Sequence, residues 1–365
     1  MIKVPYADLY RIHSKYKKEI DLRLSECIQN SQFINGPQLV EFENSLSDYL
    51  GRTSVGVANG TAAQQLSLLA LGIGIGDEVI VPSMTFFSSA ETITQVGATP
   101  IFCDINLDDY TIDVTQIEPL ITAKTKAIIS VDLYGQQADY ESLTLLCKKH
   151  NLFLIQDSAQ SFGSKRNNNP VGFYSDLTIH SFYPGKNLGS MGDAGGITGH
   201  DYLMDQIKLL RDHGRKEKYV HEIVGWNHRL DGIQAAVLNA KLPHIEELNG
   251  SRQYNAKYYL EKLKNTPLVL PKTNSKNTHV YNQFCVLFNK RDDLRSFLLA
   301  NGIEAGCQFP LGCHMQPAYK EYNNYKLPNT EKVANECLSL PVFPFMTEQE
   351  LDYVCSMIFL YFKLK

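Results

Sequence analysis

The sequence predicts an α/β protein, with a mostly parallel sheet in a large first domain and a smaller α/β domain behind it. Three observations carry this. Short β-rich runs alternate with helical runs of about a dozen residues from residue 54 to 199, the mark of parallel βαβ units. The 365-residue length suits two domains, or one large unit with an appendage. Pro243 then interrupts a long helical stretch, where it bends or divides the connection, and the boundary is set near residue 245: 1–245 and 246–365.

The first fifty residues read as helical and amphipathic around "FINGPQLVEFENSLSDYL", with Gly36-Pro37 marking a turn before a helix. A strand over Ser54–Val57, a helix over Thr61–Leu71 and a strand over Glu78–Val81 follow, then a second helix and a strand over Thr99–Asp104. "TKAIISVDLYG" and "NLFLIQDSAQSFG" each read as a buried strand ending in a polar or glycine-rich turn, with a helix over Asp139–His150 between them. "SDLTIHSFY" and "GGITG" complete the set. Beyond the boundary, "HVYNQFCVLF" reads as a strand, "KRDDLRSFLLANG" as a helix closed by Gly302 and "IEAGCQF" as a further strand, before closing helical runs.

Composition is ordinary for a globular chain, at 44% hydrophobic and 20% charged residues, with enough apolar material for a sizeable core. The formal net charge of −4 gives no polybasic footprint, which argues against nucleic acid or an anionic membrane as the main partner. No apolar run is long enough to span a bilayer, and "MIKVPYADLY" lacks the features of a signal peptide, so a cytoplasmic protein is expected. The eight cysteines are scattered without a C-x-x-C pair, so no metal is expected and reduced, mostly buried thiols are.

Ligands of open α/β sheets collect beyond the carboxyl ends of the strands, and four features fall there. In "ANGTAAQQL", Asn59 can cap a helix whose first N–H groups and Gly60 suit a phosphate; alone, such a start is more often a plain capped helix. Asp157 closes "FLIQD", where a buried carboxylate needs a cation or donors; a turn aspartate is as good a reading before the other features are counted. Gln160 lies three residues on. In "SMTFFSS", one of Phe86 and Phe87 can stack on a planar ligand while the other joins the core, and core packing is the commoner role for each. The fourth feature is Lys186 in "SFYPGKNLGSMGDAGG". A P-loop is excluded because no glycine precedes at the required offset and Asn187 stands where Ser or Thr must follow. A Schiff-base lysine or a solvated surface loop remains. Taken together, a phosphate cradle, an aromatic face, an acid for a ring nitrogen and a lysine for an aldehyde describe pyridoxal 5′-phosphate.

These residues resemble the nucleotide-sugar aminotransferases of the aspartate aminotransferase superfamily, fold type I. The likeness spans nearly the whole chain through "NGTAAQQLSLLALGIGIGDEVIVPSMTF", "DSAQSFG", "HSFYPGKNLGSMGDAGG" and "GWNHRLDGIQAAVLNAKL". The resemblance implies that Lys186 is the lysine that joins the cofactor, Asp157 the partner of its pyridinium nitrogen, Gln160 a neighbour of its ring hydroxyl and Phe86 its stacking face. It also implies phosphate binding by the backbone of Gly60 and Thr61 and the hydroxyl of Ser181. Asn227 would reach the phosphate of a neighbouring subunit, giving a homodimer with shared active sites. Tyr183, Gln308, Phe309 and His314 are the candidate substrate contacts, each with a structural alternative. Gln308-Phe309-Pro310 departs from the His-Tyr pair expected before that proline in related 3-aminotransferases.

The implied activity is a ping-pong transfer from L-glutamate to a keto sugar carried on a nucleotide. "FYPGKNLGSMGDAGG" looks like enzymes that aminate carbon 3 of dTDP-linked 3-keto-6-deoxyhexoses, whereas 4-keto enzymes more often end this stretch in Glu-Gly-Gly. A role in lipopolysaccharide O-antigen or S-layer glycan synthesis follows by analogy. The rivals are a 4-keto-sugar aminotransferase, a pyridoxamine phosphate-dependent sugar dehydratase and a non-catalytic ligand sensor of the same fold. Dehydratases of that kind carry histidine in place of the lysine, so Lys186 argues against that reading.

Overall fold

A computed structural model of the chain describes residues 2–364. Its centre is a seven-stranded sheet made of β1 (Ser54–Val57), β2 (Glu78–Pro82), β3 (Thr99–Cys103), β4 (Thr125–Val131), β5 (Phe153–Asp157), β6 (Leu177–Ser181) and β7 (Gly195–Gly199). The spatial order is β1-β7-β6-β5-β4-β2-β3. β2 to β6 pair in parallel along this order, and only β7 runs against its neighbours β6 and β1. The expected mostly parallel sheet is present.

The strands read as unbroken apolar runs because both faces are covered. Val81 and Ile129 pack toward Ala90 and Ile93 of α5 (Ser88–Gln95) on one face. Ile80 and Ile128 pack toward Tyr140 and Leu143 of α6 (Tyr140–His150) on the other. Each of these isoleucines is fully buried, and burial of such a side chain stabilises by roughly 1.5–3 kcal/mol.

Before the sheet stand α1 (Leu9–Lys15), α2 (Lys17–Asn30) and α3 (Pro37–Leu50). α3 begins where the sequence says, with Pro37 in its first turn, and ends at Gly51 with φ +70°. Its stripe of Leu39, Phe42, Leu46 and Leu50 packs against Leu238 of α8 (Gly232–Lys241). α4 (Gly60–Ala70) and α7 (Asp201–Leu210) flank the β1 side of the sheet. Pro243 divides the long helical stretch, placing a short 3₁₀ turn over Leu242–His244 between α8 and α9 (Ile245–Leu263).

The C-terminal part differs from the sequence reading in three places. The strand expected over "HVYNQFCVLF" shortens to β8 (Phe284–Leu287), because Val280 and Gln283 donate their N–H groups to Gly135 and Tyr134 in the 3₁₀ turn that follows β4. The strand expected over "IEAGCQF" is absent. That stretch makes single bridges, Ile303 to Val4 and Gly306 to Ser339, and Phe309 leaves the extended region at φ +62°. The partner of β8 is β9 (Cys337–Leu340), an antiparallel pairing that sequence reading placed within helical runs. α10 (Arg291–Ala300), α11 (Pro328–Glu336) and α12 (Glu348–Leu364) complete this part. Its core joins Leu294, Leu298, Leu351 and Val354 to Val4, while Cys285 and Val333 share a cluster with β2 and β4.

Candidate active site

At the carboxyl edge of the sheet, Val131, Asp157 and Ile179 lie side by side on β4, β5 and β6. Asp157 is buried, its Oδ1 accepting from the N–H of Ala159 at 3.0 Å and its Oδ2 from Ser89 Oγ at 3.2 Å. Burial pushes its carboxyl above the ordinary value, while the Ala159 N–H, the Lys186 charge and the Ser89 hydroxyl act to lower it. It makes no ion pair with any described side chain, which leaves it a complement for a cation.

Lys186 sits in the loop after β6, its N–H donating to Tyr183 O at 2.8 Å. Burial lowers its amine to about 8, against the opposing pull of Asp157. The loop is fastened by the next residue. Asn187 Nδ2 donates to Asn249 Oδ1 (2.6 Å) and Val280 O (3.0 Å), and its Oδ1 accepts from Asn282 Nδ2 at 2.9 Å. The lysine is therefore held from α9 and from the segment before β8.

The start of α4 meets the ends of β6 and β7. A Cβ on Gly60 would stand 2.9 Å from Ser181 Cβ, and one on Gly195 would stand 2.4 Å from the carbonyl carbon of Asn59. Only glycines allow this approach. Asn59 caps the helix, its Oδ1 accepting from Ala62 N at 2.8 Å. The first turn carries no acidic side chain, so its N–H groups and dipole favour an anion, with Thr61 and Ser181 beside them.

Phe86 and Phe87 part as the sequence suggests. Phe86 is 58% exposed, with its ring 6.1 Å from that of Phe309, while Phe87 packs on Tyr319. Gln160 is buried below, its Oε1 accepting from the N–H of Tyr134 at 2.7 Å. Tyr134 itself is held at φ +63°, an uncommon conformation for a tyrosine.

Tyr183 is 57% exposed beside the lysine loop. Gln308 turns toward the N-terminal segment, donating from Nε2 to Tyr6 Oη at 3.1 Å. His314 is only 2% exposed, its Nδ1 paired with Ser83 Oγ at 2.7 Å, and burial holds it below its ordinary value. Its imidazole is not presented to solvent. Asn227 is exposed on a loop whose next residue, His228, accepts from Ala58 N at the end of β1. Sequence reading did not single out Ser89, Thr85, Asn187 or Tyr134. The only signal for them was their place in "SMTFFSS", "PGKN" and "DLYG", beside residues that were chosen.

A glycine-floored anion cradle, an exposed phenyl face, an unpaired buried acid and a lysine of lowered basicity fit pyridoxal 5′-phosphate. On this sheet they define the class, a pyridoxal phosphate-dependent enzyme of fold type I. The chain belongs to the DegT/DnrJ/EryC1/StrS aminotransferase family, whose model matches residues 14–359. It is 40% identical to a pleiotropic regulatory protein of Geobacillus stearothermophilus, over 98% of each chain. It is 39% identical to dTDP-3-amino-3,6-dideoxy-alpha-D-galactopyranose transaminase of Aneurinibacillus thermoaerophilus, over 97% of this chain and 98% of that one. UDP-N-acetyl-3-dehydro-alpha-D-glucosamine 3-aminotransferase of Acidithiobacillus ferrooxidans is 37% identical over 97% of each. Among solved structures, S. venezuelae DesV in complex with a ketimine intermediate superposes with a TM-score of 0.97 at 37% identity, covering 99% of each chain. The protein is a sugar aminotransferase.

Proposed function

We propose that the chain moves an amino group from L-glutamate to carbon 3 of a dTDP-linked 3-keto-6-deoxyhexose. The observation that carries the chemistry is Lys186, with its amine lowered to about 8, set with the unpaired Asp157 at one sheet edge. Pyridoxal 5′-phosphate supplies an electrophilic carbon and a ring that takes up electrons when a C–H bond next to nitrogen breaks. Asp157 keeps the ring nitrogen protonated. Gly60, Thr61 and Ser181 would hold the phosphate, Phe86 would cover the ring and Gln160 would serve its hydroxyl. Lys186 binds the cofactor at rest. Once freed, it carries the proton between the donor's α-carbon and the cofactor, then in reverse for the sugar, a role worth roughly a hundred- to ten-thousand-fold. Tyr183 and Phe309 line the sugar side.

The choice of carbon and nucleotide rests on the loop wording and on the dTDP-sugar relative, while the UDP-sugar relative marks the alternative. Asn227 serves the neighbouring subunit of a cytoplasmic homodimer, and the chain divides near residue 245. A panel of dTDP- and UDP-linked 3-keto and 4-keto sugars, with glutamate as donor, tests the assignment by mass spectrometry of the amino sugar and assay of 2-oxoglutarate. Amination of the 3-keto dTDP sugar is expected. Turnover of only UDP or 4-keto substrates overturns the specificity. Lack of turnover with every sugar favours a regulatory role, the reading suggested by the name of the Geobacillus relative.

A further inference from the structure

Asp157 does not stand alone behind the site. Ser89 Oγ donates to its Oδ2 at 3.2 Å, and Thr85 Oγ1 lies 2.9 Å from Ser89 Oγ. A hydroxyl has one proton. With Ser89 spending its proton on the carboxylate, the Thr85–Ser89 contact is satisfied only if Thr85 donates. The three residues are all buried, so the order of protons cannot be scrambled by bulk water. Ser89 is in addition anchored through its carbonyl, which accepts from Gln64 Nε2 at 3.0 Å. The other oxygen of the acid, Oδ1, accepts from the Ala159 N–H at 3.0 Å, and each oxygen keeps a further lone pair.

We propose that Thr85 and Ser89 are positioning residues, a two-hydroxyl relay that aims the Asp157 carboxylate and keeps it ionised, and so sets the charge on the cofactor's ring nitrogen. The proposal rests on Asp157 being the partner of that nitrogen. The titratable groups facing Asp157 are Lys186 from the loop after β6 and Tyr140 from α6, and neither replaces the Ser89 proton. A carboxylate that loses a donor becomes more basic and takes a larger share of the ring-nitrogen proton. The ring then carries less positive charge and releases its other protons at higher pH.

The test is a pH titration of the visible absorption of holoenzyme for wild type, Ser89→Ala, Thr85→Val, Thr85→Ser and Asp157→Asn. Ser89→Ala is expected to raise the midpoint by about half to one pH unit and to weaken cofactor retention about 3- to 10-fold. Thr85→Val, which keeps the shape but not the proton donor, should shift the midpoint in the same direction by less. Thr85→Ser should restore it. Unchanged midpoints in Ser89→Ala and Thr85→Val, alongside a shift in Asp157→Asn, overturn the relay and leave the reading of Asp157 intact. No shift in Asp157→Asn overturns that reading itself. Thermal unfolding of the cofactor-free proteins separates a packing defect, which lowers stability without moving the midpoint.

Discussion

At the scale of single residues, the decisive quantity is the protonation of Lys186. An amine of ordinary basicity is about one part in a thousand neutral at pH 7.5, whereas one lowered to about 8 is roughly one quarter neutral. Only the neutral form attacks an aldehyde. Capture of pyridoxal 5′-phosphate by cofactor-free protein should therefore quicken about tenfold per pH unit up to about pH 7 and level off above about 8. Stopped-flow absorbance measures this, and a rate still climbing at pH 10 would show an unperturbed lysine. Lys186→Ala, which removes the covalent partner and the proton carrier together, should lose transamination by at least about a hundred- to ten-thousand-fold while remaining folded. Near-normal turnover in that variant would defeat the mechanism.

At the scale of elements, the lysine loop is only as fixed as the amides that hold it. Asn187→Ala strands the Asn249 carbonyl oxygen and the Asn282 amide in a buried setting, each costing about 1–3 kcal/mol when unpaired. Urea unfolding of cofactor-free protein should register a loss of at least about 1 kcal/mol, and a change under about 0.5 kcal/mol would mean that the amides re-pair or meet water. Gly195→Ala presses a methyl onto the Asn59 backbone and should displace the start of α4, seen as weaker cofactor retention. This joint also marks what was legible in the sequence. Asp157, Lys186 and Gly60 announced themselves because a strand end, a glycine loop and a capped helix are local patterns. Ser89 did not, since its meaning comes from β5, 68 residues away. "IEAGCQF" reads as a strand on local grounds too. Yet β8 pairs with "CLSL" at residues 337–340, a choice made by tertiary packing that periodicity in a four-residue run cannot reveal.

At the scale of the molecule, the exposed apolar surface bears on assembly. Tyr219 and Val224 are 82% and 85% exposed near a hairpin whose base is tied to residues 33–35: Ile34 bridges Asp231, and Asn35 Nδ2 donates to Asp212 Oδ2 at 3.1 Å. Phe33 and Ile34 are also exposed, and exposed apolar side chains are the material from which interfaces are built. Asn227 lies on the same loop, and the proposed shared-site homodimer makes a prediction that a monomer cannot imitate. Lys186→Ala homodimers lack both lysines, and Asn227→Ala homodimers lack both phosphate contacts. When the two are unfolded together and refolded, a hybrid dimer pairs the lysine of one chain with the asparagine of the other, creating one intact site. Activity and cofactor retention of the mixture should exceed the mean of the two parents. If Asn227 acts within its own chain, every lysine in the hybrid faces a missing asparagine and the mixture stays at that mean. Sedimentation of the same samples shows whether hybrids formed, so a flat result on dimeric material would sink the shared site.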